Sequence, residues 1–221
     1  MRLVVRLVTE TVVPMLMQEL ARAHRLRGVK PEYFSIAGKA IMYVAQQANL
    51  TKWSFETEAA WRVCISMIVR PLQKSLEAEI ARHGGSESVA SSGAAVSRAR
   101  ILAAAIDKGI DGGIDEHVTF DAKASKIACK AWKLVMKDVE VNRGRFFRRL
   151  FEISDEAKMV FASFVSVEEP LEQNSRLNGH ADKVFDTIGK CVNGVADYDR
   201  IKPYLEVCCV WFLWILTDPG V

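Results

Sequence analysis

The stretch ELARAHRLRGVKPEYFSIAGKAI, residues 19–41, decides how this chain is read. Its first part continues an apolar helical stripe that begins at Pro14, in which Leu16, Met17, Leu20 and His24 recur at i, i+1, i+4 and i+8. A histidine thus stands where a leucine would be ordinary. The second part opens a new helix at Pro31, a residue suited to a first turn. Phe34, Ala37, Ile41, Val44 and Ala48 mark the buried face of that helix, which should end near Asn49.

A second stretch repeats the anomaly. In NSRLNGHADKVF, residues 174–185, Leu177, Ala181, Val184, Ile188 and Val195 share one stripe, and His180 lies on its flank one turn before Val184. An imidazole held away from water needs a hydrogen-bond partner, a metal or a ligand, because unpaired polar nitrogens are costly there. Taken alone, each histidine is most simply a satisfied core residue.

Between these stretches nearly every periodic segment reads as helix. Ser54 is a suitable N-cap for a third helix, with Glu56 and Glu58 in its first turn and Trp61, Ile65, Ile68 and Leu72 facing inward, and Pro71 should kink or end it. Residues 81–121 are rich in Gly, Ser and Ala and read as a linker, with RARILAAAI able to form a short helix and His83 and His117 exposed within it. Periodicity returns at Ile127, Ala128, Ala131, Trp132, Val135 and Val139, then in GRFFRRLFEI. No strand alternation of useful length occurs, so the expected class is all-α.

Composition fits a soluble globular chain of 221 residues, 50% hydrophobic and 26% charged. The net charge of +3 comes with no basic run interleaved with aromatics, so nucleic-acid binding has no support. Cys64, Cys129, Cys191, Cys208 and Cys209 are odd in number and lack CxxC spacing, which points to a reducing, cytoplasmic setting with the first three as inert thiols. The apolar start MRLVVRLVTETVV is interrupted by Arg6 and has no small-residue cleavage site, against a signal peptide. The apolar run VCCVWFLWIL at 207–216 is short of the ~20 residues of a membrane span.

On these residues the chain resembles the animal globin family. ELARAHRLRGVKPEYFSIAGKAI is similar to helix F, the FG corner and helix G. AWKLVMKDVEVNRGRFFRRLFEISDEAKMVFASF is similar to helices A, B and C with the CD corner, and PLEQNSRLNGHADKVFDTIG to the D region and helix E. The resemblance covers roughly 14–80 (F-G-H) and 122–206 (A-B-C-E and the start of a second F, in DRIKPYLE at 199–206). Residues 1–13 form an extension, 81–121 a flexible linker, and the apolar tail 207–221 matches nothing in the family. Such an order implies either a circularly permuted globin or a slice of a tandem array, whose partners would be neighbouring globin domains or a second copy.

The resemblance implies a haem, with His24 as proximal iron ligand and His180 as the distal histidine that donates to bound gas or binds iron itself. Phe161 would stack on the porphyrin, and Phe164, Phe147, Val184, Ile188, Leu20, Val29 and Phe34 would line the pocket. Lys183 would reach a propionate. These residue types suit the chemistry, since haem iron needs a neutral imidazole on one face, an apolar slot around the ring and a polar group on the other face. The implied function is reversible binding of oxygen or another diatomic gas, for storage, transport or sensing. Two alternatives stay open: a haem redox enzyme (nitric-oxide dioxygenase or nitrite reductase), and a haem-free structural fragment. Phe147 stands where a tyrosine would add a second hydrogen bond to oxygen, so the resemblance favours an oxygen binder over a scavenging enzyme.

Overall fold

The two histidine-bearing stripes, and the apolar stripes between them, fold as helices. The computed structural model describes residues 13–83, 122–162 and 170–194, and among these there is no strand. The first segment holds α1 (Val13–Leu26), α2 (Glu32–Ala48) and α3 (Phe55–His83). The others hold α4 (Ala122–Lys137), α5 (Val139–Ile153), α6 (Asp155–Val160) and α7 (Ser175–Gly194). No helix among the described residues is long and apolar enough to cross a membrane.

Local chemistry sets the helix ends. α1 stops where Gly28 takes φ 72°, a left-handed conformation open to a residue without Cβ. The Gly28 and Val29 N–H groups then donate to the carbonyls of Arg25 and His24, at 2.9 and 3.0 Å. Ser54 caps α3 through its Oγ, which accepts from the Thr57 N–H at 3.2 Å. Ser154 does the same for α6 at Ala157, 3.0 Å, and the buried Asn174 for α7 at Leu177, 2.9 Å. At the end of α2, the buried Asn49 donates from Nδ2 to the carbonyls of Ala45 (2.7 Å) and Ala131 (3.2 Å), tying α2 to α4.

A single core joins the two halves of the chain. Trp61 of α3 meets Trp132 of α4 at a ring separation of 5.7 Å, and Trp132 meets Phe185 of α7 edge-on at 5.5 Å. Phe185 in turn meets Phe146 of α5 at 5.9 Å. Such tilted and edge-on contacts suit the aromatic quadrupole. Ile41, Val44 and Ile65 from the first half pack in the same cluster as Val135, Leu177 and Ile188 from the second. Each half therefore buries its apolar face against the other, which a short amphipathic helix set cannot do alone.

Helix α3 departs from expectation, since it neither ends at Pro71 nor gives way to linker at residue 81, but runs through both to His83. Tertiary contacts outweigh the lost proline hydrogen bond. Beyond Pro71, Leu76 and Glu79 are buried, and the Glu79 carboxylate lies 2.9 Å from Arg82, 3.2 Å from His83 and 3.5 Å from Arg25 of α1. His83 is exposed as expected, but on a helix. The linker from 84 to 121 with RARILAAAI and His117, the second F-like start at 199–206, the tail 207–221, residues 1–12, Val195 and Phe164 all lie outside the described residues.

Gly38 marks the closest approach of α2 to α3. A Cβ there would stand 2.8 Å from Ile65 Cγ2 and 3.2 Å from Val69 Cγ2. Gly38→Ala should therefore lower the unfolding free energy by about 1–2 kcal/mol, overpacking outweighing the gain of up to ~1 kcal/mol in helix propensity. Urea denaturation would detect it, and a variant as stable as the parent would show that the crossing can open.

Candidate functional site

A cavity of about 420 Å³ opens between the two halves, within the range of small-molecule and cofactor sites. His24 reaches it from α1 and His180 from α7. Val29 and Phe34 line it from the first half, Phe161, Val184 and Ile188 from the second, and Lys183 stands on its lining as well. Phe147 and Leu20, expected on the wall, stand behind it. Phe147 is 1% exposed and supports the wall from the rear, with its ring 6.2 Å from His180 and 5.4 Å from Phe161. Leu20 contributes its carbonyl instead of its side chain.

That carbonyl fixes the chemistry of His24. A carbonyl oxygen can only accept, so the 2.8 Å contact between His24 Nδ1 and Leu20 O places the imidazole proton on Nδ1. Nε2 is then the nitrogen with the lone pair, as a metal ligand requires. Burial pushes the His24 pKa from 6.5 down to about 4, against the opposing pull of the Leu20 bond. Phe34 holds the ring from the side, at a centroid separation of 5.2 Å.

His180 is neutral for the same main reason. Burial pushes its pKa down to about 3, helped by the positive charges of Lys183 and Arg27. Its ring packs edge-on against Phe161 at 5.4 Å. Ion pairs from α5 reach α7 and the turn before it, since Arg143 meets Asp182 and Arg148 meets Glu172. Beside Tyr33 of the cavity lining, Glu156 of α6 binds Lys30 at 2.9 Å and accepts from the Tyr33 hydroxyl at 3.2 Å. The Lys30 hydrogen bond holds the Glu156 carboxyl below its ordinary pKa.

Further lining residues were not among those expected. Arg27 and Arg176 stand on the lining and are exposed, which gives the cavity a basic rim together with Lys183. Phe146, adjacent to Phe147, is the α5 phenylalanine that lines the cavity. Neighbours on a helix differ by 100°, so Phe146 takes the place that the sequence reading gave to Phe147. No group of three or more His, Cys, Asp or Glu among the described residues could hold a bare metal ion.

Two neutral histidines make stability depend on pH. Both have folded pKa values below the unfolded 6.5, so the unfolded chain binds more protons and stability falls with acid. The loss begins as pH drops through 6.5 and continues toward about 4 for His24 and 3 for His180. Between neutrality and about pH 5 each should remove up to roughly 2 kcal/mol. Urea midpoints measured across this range should slope downward, and His180→Leu should remove about half of the slope. An equal slope in parent and variant would mean that His180 titrates normally.

The Globin family model matches residues 2–72 and 144–209. An anaerobic nitrite reductase of Physcomitrium patens is 30% identical over 67 residues, which cover 30% of this chain and 37% of that protein. An anaerobic nitrite reductase of Gossypium hirsutum is 33% identical over 70 residues, covering 32% of this chain and 43% of that protein. The chain thus spans well under half the length of these curated relatives. No solved structure gives a significant match.

Proposed function

The chain belongs to the globin family, whose members typically bind haem, and we propose that it holds one haem between His24 and His180 and binds oxygen or another diatomic gas there reversibly. In this reading residues 14–80 supply helices F, G and H, residues 122–206 supply A, B, C and E, and the two parts form one pocket in permuted order.

The observation that carries the reading is the His24 tautomer in a cavity shared by both halves. A neutral imidazole, with its proton held on Nδ1 by Leu20, has the form an axial iron ligand needs. A haem supplies an iron that takes up a diatomic gas.

The remaining roles belong to the chain's own side chains. Phe34, Phe161, Val184 and Ile188 exclude water from the faces of the cavity. Lys183, Arg27 and Arg176 would hold propionate carboxylates at the rim. His180, neutral and on the same cavity lining as His24, can offer one N–H to bound gas or its lone pair to the iron. A reducing cytoplasm suits the free thiols Cys64, Cys129 and Cys191.

The names of the two plant relatives favour nitrite reduction as the second reading, at the same cavity. Titration of the purified chain with hemin tests the common part of both. The expected result is a Soret band that saturates at one haem per chain and shifts reversibly with oxygen in the reduced protein. No specific uptake would leave a haem-free structural domain. Uptake with nitrite turnover and no reversible oxygen complex would favour the second reading.

A further inference from the structure

We infer that Glu79, near the end of α3, is a positioning residue for His24: through Arg25 it fixes how α1 lies and rolls on α3, and so where the imidazole presents Nε2 in the cavity. The inference rests on the haem reading only for what His24 meets there. Among the described residues α1 packs extensively on α3 alone. Leu20 and Ala21 of α1 and Leu76 of α3 are buried, but apolar burial is non-directional and leaves a helix free to roll. Two side-chain links supply the direction. Ser75 Oγ donates to the Met17 carbonyl at 3.0 Å, and Arg25 Nε lies 3.5 Å from Glu79 Oε1. Along α1 these two points are about 12 Å apart, so together they fix both register and roll.

Roll matters because the His24 ring moves with its helix. Its Nδ1 donates at 2.8 Å to the Leu20 carbonyl of α1 itself, which leaves the ring little freedom of its own. A roll of about 20° carries an atom about 5–6 Å from the helix axis through about 2 Å. Metal–ligand distances tolerate only about 0.2 Å.

The burial of Glu79 separates this role from plain stabilisation. The side chain is 1% exposed, and Arg82 at 2.9 Å already offsets its charge from within α3. Removing a carboxylate from water is costly, and well-packed apolar residues of similar volume often stabilise a fold as well as a buried ion pair does. What the carboxylate adds, and a leucine could not, is a partner for one defined position on α1. Arg25 Nε is itself buried, and Glu79 is the carboxylate it faces.

Arg25→Gln and Arg82→Gln, made in the full chain, each take one cation from Glu79, and only the first lies on α1. In the haem-free protein, amide hydrogen exchange within α1 should be about tenfold faster in Arg25→Gln and unchanged in Arg82→Gln. Glu79→Gln should give the same α1-localised change, and the Arg25 comparison decides alone if circular dichroism shows that Glu79→Gln does not fold. With hemin bound, Arg25→Gln should lose it about tenfold faster, and Arg25→Lys, which keeps the charge, should recover most of the difference. Resonance Raman spectra of the ferrous, gas-free protein in the His180→Leu background should show the iron–Nε2 stretching band displaced by Arg25→Gln and restored by Arg25→Lys. Exchange in α1 equal to that of the parent, or changed as much by Arg82→Gln, overturns the proposal, as does an iron–Nε2 band that Arg25→Gln leaves in place. A parent that takes up no hemin would sink the haem reading instead, and the exchange comparison would still decide whether Glu79 places α1.

Discussion

His24→Ala will fold with the helix content of the parent and keep almost no haem. The substituted side chain is half-buried on a cavity wall, so little core packing is lost, whereas the nitrogen proposed to bind iron disappears. Groups that merely orient a metal ligand are worth 10–100-fold in affinity, so loss of the ligand itself should accelerate haem loss by about a hundredfold or more. Transfer of haem to an excess of a tight-binding acceptor protein measures the rate. Free imidazole should restore part of the Soret absorbance in His24→Ala, because it can occupy the vacated position, and it should do nothing for a variant that fails through packing. Equal haem content in parent and His24→Ala would remove His24 from the site and the haem assignment with it.

His180→Leu will keep its haem and lose control of the gas. His24 and the apolar wall of Phe34, Phe161 and Val184 remain, so retention should change little. In the proposed site the lost N–H would have served a ligand that gains negative charge on binding, and hydrogen bonds to charged groups are worth about 1.5–3 kcal/mol. Oxygen should therefore leave at least about tenfold faster, read by stopped-flow dissociation, and the oxygenated protein should oxidise sooner. In the reduced, gas-free parent, direct binding of iron by His180 would give a six-coordinate spectrum that becomes five-coordinate in His180→Leu. Unchanged oxygen release would show that His180 does not face the ligand.

The helices were legible because each carries a long apolar period. The stripe through Leu20 and His24, the face of α2 and the run from Leu177 to Ile188 are all buried or cavity-facing. What escaped the sequence was set by neighbours distant along the chain. Glu79 reads as a solvated helix residue, yet it is 1% exposed because Arg25 of α1 comes within 3.5 Å of it. That contact, with Leu76, is also why α3 passes Pro71 and reaches His83. Phe147 was expected on the lining and Phe146 takes that place, because adjacent positions both flank the apolar stripe and packing decides which ring faces the cavity. Arg27 and Arg176, separated by most of the chain, become rim partners only once α1 and α7 enclose one cavity.

Pro71 divides α3 into two cooperative units of unequal stability. Lacking an N–H, it leaves the Met67 carbonyl without its usual i+4 donor, and the ladder is interrupted at that turn. On the near side lie Trp61, Cys64, Ile65, Ile68 and Val69, all in the core. On the far side only Leu76 and Glu79 are buried, with side-chain bonds from Ser75 to the Met17 carbonyl and from Gln73 to Ser35. The last three turns should therefore open in native-state hydrogen exchange at a free energy below that of global unfolding. Each such opening hydrates Glu79 and releases Arg25, whose neighbour in the chain is His24. Breathing of a helix end is in this way transmitted to the segment that carries the imidazole.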